Sequence, residues 1–245
     1  MKIEINVPTS LDEITLGQYQ KYLKIAEANP DGNFLDAKMI EIFCGIPLSE
    51  SYKLKMSSVT AIIDILNELL DSKPSHVEQF VLDGVTYGFI PDLDEMSLGE
   101  YIDLDNNASK WENMHIAMNV LYRPVKDIRK EKYNIVDYNT LNPDKMKDTP
   151  MSAVTGSLFF FLEFRNRTLE SYDTLFEQGG GDGSYTSEAN FGRKWGWYQS
   201  IYGLANGDVE RFENITKLNV HQCFTMLSFL KEKAELEAQR IKSKF

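Results

Sequence analysis

Asp12-Glu13-Ile14-Thr15-Leu16-Gly17-Gln18-Tyr19 returns later in the chain as Asp94-Glu95-Met96-Ser97-Leu98-Gly99-Glu100-Tyr101. Five of the eight positions are identical and the other three are close substitutions. Both copies contain a capping box, Thr15 with Gln18 and Ser97 with Glu100. In such a box the hydroxyl accepts from the N3 amide, and the N3 side chain reaches back to the N–H of the cap. Each stretch therefore predicts the start of a helix. Each also follows a strand-like run and a proline: Ile3 to Val7 then Pro8, and Val85 to Ile90 then Pro91. One reading is a strand–loop–helix unit used twice, over about residues 2–28 and 85–105. The other is two helix starts that converged on the same cap chemistry. Glycine is a poor helix former, yet it holds the second helical position in both copies. That points to a packing demand common to the two sites, such as the close approach of another backbone.

Working outward, Val59, Ile62, Ile63, Leu66, Leu69 and Leu70 recur at helical spacing with Asp64, Asn67, Glu68 and Asp71 opposite, and Pro74 closes that helix. Phe80 to Ile90 reads as a hairpin, because Asp83-Gly84 supplies the positive φ angles of a type I′ turn. Residues 109–122 form a helix that Arg123-Pro124 ends, and Tyr133 to Tyr138 is a short strand. From Pro150 the pattern is helical throughout: 151–176, about 191–205, and 217–242. The glycines and polar residues of 179–190 read as a flexible linker or exposed loop. The expected fold is α+β and predominantly helical. A small antiparallel sheet gathers near the repeated units in residues 1–140, and an all-α part spans 141–245.

Composition narrows the function. The 245 residues carry 26 Lys and Arg against 37 Asp and Glu, a net charge of −11. A phosphate backbone repels that balance, so direct nucleic-acid binding is not expected. The longest apolar run, Leu158 to Leu162, is far shorter than the ~18–20 residues of a membrane span. Two cysteines, Cys44 and Cys223, form no disulfide framework.

Catalytic constellations are scarce. Glu112 and His115 have the i, i+3 spacing of di-iron carboxylate bundles, but one copy of that motif stands where two are needed. Asp103-Leu104-Asp105 opens like a calcium loop, then fails at Ala108, where Gly belongs, and at Met114, where Glu belongs. No Gly-Lys-Ser/Thr follows the glycines near 180, and His221 lies two residues from Cys223, a spacing that points them apart on a helix. No catalytic residue, metal ligand or cofactor site is assigned. Surfaces remain. Trp195, Tyr198 and Tyr202 share a helical face, and Val220, Cys223, Leu227, Leu230 and Ala234 step by threes and fours toward Ile241. Beyond Lys231 the helix is dense in charge. The interface candidates are thus Trp195, Tyr198, Tyr202, Val220, Leu227, Leu230, Ala234 and Ile241.

Three stretches carry a resemblance: Phe89 to Leu93 leading into Ser97 to Leu104; Met118 to Val125; and Trp195-Gly196-Trp197-Tyr198 with the helix end Leu204 to Asp208. Over about residues 85–245 the chain resembles virion and tail-assembly proteins of tailed bacteriophages, especially those of Bacteroidetes-type hosts, and its closing helices look like those of tail-assembly chaperones. The resemblance implies a non-enzymatic virion or assembly protein whose partners are other phage structural proteins, with a homo-oligomer as one form of assembly. Its expected place is the host cytoplasm during assembly, then the virion. A chaperone absent from the finished particle is one alternative. A carboxylate-based metal-dependent hydrolase built around Glu112 and His115 is the other.

Overall fold

The computed structural model describes residues 5–73, 75–129, 132–139, 142–176 and 194–243. Contacts divide the chain into two compact units that interleave in sequence, Met1–Pro91 with Asn107–Phe160, and Asp92–Asn106 with Phe161–Phe245. The sequence reading had instead placed a single cut near residue 140. The fold is mostly helical with a four-stranded antiparallel sheet, the expected α+β class.

The first unit begins with a joint. Ser10 Oγ accepts from Asp12 N at 3.2 Å and opens a short 3-10 turn, Leu11–Glu13. Thr15 then caps α1 (Leu16–Ala28): its hydroxyl accepts from Gln18 N at 3.2 Å, and Gln18 Oε1 accepts from Thr15 N at 2.9 Å. Leu16 N donates to Thr149 O and Met151 N donates to Ile14 O, both at 2.9 Å. Those two bonds make an antiparallel bridge between Thr15 and Pro150. A Cβ on Gly17 would stand 3.1 Å from the Lys147 carbonyl oxygen, which is the close backbone approach that the glycine implied.

α1 is followed by α2 (Asn33–Cys44), the single turn α3 (Leu48–Ser51) and α4 (Met56–Leu70), which buries Ile62 and Leu66 as its periodicity requires. Strands β1 (Gln79–Leu82) and β2 (Val85–Phe89) form the expected hairpin, with Asp83 at φ +51° and Gly84 at +76°. In this unit α6 (Met114–Leu121) packs beneath the sheet's continuation, and Met114, Met118, Leu121 and Tyr122 are fully buried. Arg123-Pro124 does not simply end a helix. The chain passes directly into β3 (Tyr122–Arg129), which pairs with β2 and with β4 (Lys132–Ile135) in the order β1-β2-β3-β4. Pro124 has no N–H to give the ladder, but its carbonyl still accepts from Val136 N at 3.0 Å. The expected N-terminal strand is not formed over Ile5–Val7; its earlier residues lie outside the described ones. The unit closes with a 3-10 segment, Pro143–Asp148, and with α7 (Met151–Ser171) up to Phe160.

The second unit repeats the joint bond for bond, with other side chains at some places. Asp92 Oδ1 accepts from Asp94 N at 2.9 Å and opens a 3-10 turn, Leu93–Glu95. Ser97 N donates to Glu100 Oε2 at 2.7 Å and Glu100 N donates to Ser97 Oγ at 3.3 Å, capping α5 (Leu98–Asn107). Leu98 N donates to Leu218 O at 2.8 Å and Val220 N donates to Met96 O at 2.9 Å, bridging Ser97 and Asn219. A Cβ on Gly99 would lie 3.1 Å from the Thr216 carbonyl oxygen. The unit continues with α7 from Phe161, α8 (Asp173–Phe176), α9 (Trp197–Leu204), α10 (Phe212–Thr216) and α11 (Val220–Lys242). The glycine-rich segment 179–190 lies outside the described residues.

The likeness extends to packing. Tyr19 meets Trp111 edge-on at 4.9 Å between ring centroids, and Tyr101 meets Trp197 edge-on at 5.7 Å. Asp12 accepts from Ser152 Oγ, while Asp94 at the matching place faces His221 Nε2 at 3.0 Å. What recurs is therefore a turn, a cap, a backbone bridge and an aromatic pair; the strand is not part of it. Convergence on cap chemistry alone does not reproduce the bridge or the glycine contact.

Candidate interaction surface

The second unit is organised around Tyr101, which is fully buried beneath Phe161, Phe164, Trp197 and Phe224 at 5.2–6.5 Å between centroids. Burial pushes its phenol up to about 12, so it stays neutral in the physiological range. Trp197 stacks on Phe224 at 5.9 Å and donates from Nε1 to Asp105 Oδ2 at 3.1 Å; Arg165 Nε donates to Asp105 Oδ1 at 2.8 Å. This aromatic core holds α9 and α11 in place and so decides which of their side chains face solvent.

The candidate residues divide accordingly. Val220 is fully buried beside Cys223 and Phe224, so it belongs to the core and not to an outer surface. It heads the stripe of α11, and the same helical spacing that makes the seam takes it from interior to surface. Leu227 and Leu230 are half-buried; Ala234 is exposed and Ile241 is 60% exposed. Trp195, Tyr198 (49% exposed) and Tyr202 (55%) are outward, although they do not share one helix. Gly196, at φ +44°, breaks the expected 191–205 segment, and α9 begins only at Trp197. Trp195 nonetheless stays near Tyr198, at 5.6 Å between rings.

Lys231 Nζ donates to the Thr174 carbonyl, and from Glu232 to Lys242 every residue of α11 is exposed. The sequence reading missed Met226, Phe229 (56% exposed) and Leu236, which add apolar area to this helix. Their steps of three and then seven residues were the available signal, hidden because the half-buried seam runs beside it.

The polar groups at the joints show what the remaining candidates do. Asp94 is held by Arg167 Nη2 at 3.1 and 3.0 Å and by His221, whose Nδ1 lies 3.3 Å from Tyr172 OH. The acid–imidazole–hydroxyl chain has a catalytic look. Its counterpart in the first unit, Asp12 with Ser152, occupies the same place at a joint, so this chain reads as a fastening of α11. His115 lies 3.3 Å from Gln20 Nε2 and 3.7 Å from Asp144, and loss of hydration, with Lys147 nearby, holds its imidazole below the ordinary range. Glu112 lends a backbone carbonyl to Gln20 there. Asp103 and Asp105 lie within α5, so they form no loop. Among the described residues no group of three or more His, Cys, Asp or Glu side chains could hold a metal ion, and no helix is long and apolar enough to cross a membrane. No protein-family model, curated protein or solved structure matches this chain.

Proposed function

We propose that the protein is a non-enzymatic structural or assembly component of a tailed bacteriophage particle, acting through protein–protein contacts made largely by α11. The observation that carries this reading is the helix beyond Lys231, exposed on every side yet bearing Ala234, Leu236, Ala238 and Ile241. Most helical stability in proteins comes from tertiary packing, which these exposed turns lack. A charged extension with an apolar stripe gains order from a partner, and the outward Trp195, Tyr198 and Tyr202 supply the ring types that anchor interfaces.

A truncation after Lys231 tests the reading, because it retains the tether to Thr174 and removes only the exposed turns. The truncated chain should keep the rest of its helical circular dichroism and lose association with the structural proteins expressed alongside it. Unchanged association moves the interface away from α11 and overturns the reading. Neighbouring genes test the phage assignment: tail and neck genes are expected, and a metabolic cluster opposes it. Mass spectrometry of purified particles separates a resident component, which is present, from an assembly chaperone, which is absent.

A further inference from the structure

Residues Ser75–Glu78 of the first unit cross α7 where Gly156 leaves room. A Cβ at position 156 would lie 2.8 Å from the Ser75 carbonyl oxygen and 3.3 Å from His76 Cα. Three polar ties hold this short segment. Tyr122 OH donates to Val77 O at 2.5 Å, Phe89 N donates to Glu78 O at 2.9 Å, and Tyr133 OH lies 3.3 Å from Glu78 O. Its side-chain pin is His76, whose ring sits 4.6 Å from that of Phe89 and 4.3 Å from that of Phe160. Nδ1 of that imidazole is buried with no hydrogen-bond partner among the described residues.

We propose that Ser75–Glu78 is an acid-released strap, pinned by neutral His76 and loosened when that imidazole takes a proton. The argument is one of satisfaction. Neutral imidazole carries an N–H donor at only one ring nitrogen, so Nδ1 can stay a bare acceptor, whereas imidazolium is a donor at both. Whichever nitrogen takes the proton, the cation has an Nδ1–H facing apolar rings with no acceptor among the described residues, a costly arrangement for a buried donor. Opposing this are attraction from the ring faces and from Glu78, the charged group on the strap itself. Loss of hydration outweighs Glu78 and holds His76 below the ordinary imidazole range. From β3 and β4 the titratable neighbours are Tyr122 and Tyr133, which burial keeps neutral throughout the relevant interval. The site facing His76 from α7 is Phe160, which does not titrate. Release loosens the entry to β1, an edge strand that begins at Gln79 and stays paired to β2, and uncovers the buried Phe89 ring.

Hydrogen exchange on the full chain, corrected for the pH dependence of intrinsic rates, tests this at about pH 7.5 and about pH 5, either side of the usual imidazole range. Peptides that report the Phe89 amide, the donor to Glu78 O, should lose several-fold protection on acidification relative to peptides of α4 and α6. The α6 reference separates the strap from a general effect of His115. His76→Phe keeps the ring and removes the proton site; it should stay protected at both pH values. Equal acid release in that variant assigns the effect to other groups and overturns the proposal. Should the variant misfold, the His76 ring proton signal decides in the native chain. Titration with the Phe89 amide still protected refutes the device; titration in step with its release supports it.

Discussion

Gly17 and Gly99 each face a carbonyl oxygen, of Lys147 and Thr216, at the distance where a Cβ forces the neighbour to give. Replacing either with Leu should therefore cost more stability than removing the adjacent cap hydroxyl. Thr15→Ala and Ser97→Ala should each lose about 0.5–2 kcal/mol, the usual range for such caps. Denaturant midpoints of the four variants decide the order, and neutral glycine variants would refute the close-packing account. Gly156 gives a sharper case. Alanine is about 1 kcal/mol better than glycine in a helix interior, yet Gly156→Ala should destabilise, because the backbone oxygen of Ser75 blocks the methyl. At the same scale, burial raises both thiols, that of Cys44 to about 11. Ellman's reagent should react with the native protein at about pH 8 far more slowly than with the unfolded chain, since the thiolate attacks. Rapid reaction of both thiols before unfolding would contradict that burial.

Elements were legible in the sequence wherever side chains write the rule. The capping boxes, the Asp83-Gly84 hairpin and the amphipathic α4 all follow from local chemistry, and the fold class followed from them. The partner half of each joint was not legible. Thr149 and Leu218 contribute carbonyl oxygens, and Met151 and Val220 contribute amides; any residue but proline offers both groups, so nothing in the side chains marks the match. β3 was hidden by Pro124, a residue normally read as a stop. Of the candidate surface, the aromatic cluster was visible, but the boundary between core and exterior along α11 was not. Leu227 stands near that boundary. Leu227→Asp, which places charge on a half-buried position, should lower the unfolding midpoint, whereas a substitution such as Glu237→Gln, in the exposed turns, should leave it nearly unchanged. Equal effects would mean that the core does not end where burial places it.

At the level of the whole molecule, acid should act through identifiable groups. His76 and His115 both sit below the ordinary imidazole range in the folded chain, so the native state binds fewer protons than the unfolded one. Their stabilising contribution is present above about pH 6.5, the unfolded value, and is lost as pH falls through the lower folded values. Meanwhile the net charge of −11 shrinks toward the isoelectric point near 4.8, which relieves self-repulsion and favours the compact state. A falling thermal midpoint between about pH 6.5 and pH 5 would therefore come from specific groups acting against the global trend, and His115→Gln should reduce the fall. A midpoint that rises throughout would show that repulsion dominates. The two joints also set a schedule for the nascent chain. The first can close once Met151 has been made; the second waits for Val220, a delay of about 3–14 s at bacterial-to-eukaryotic elongation rates. Throughout that interval Leu98, Tyr101 and Leu104 have been synthesised, but the helix start that will cover them has not. Slowing the ribosome over codons 152–220 should lengthen this window of vulnerability, and the yield of soluble protein should be more sensitive to pauses there than to pauses before codon 151.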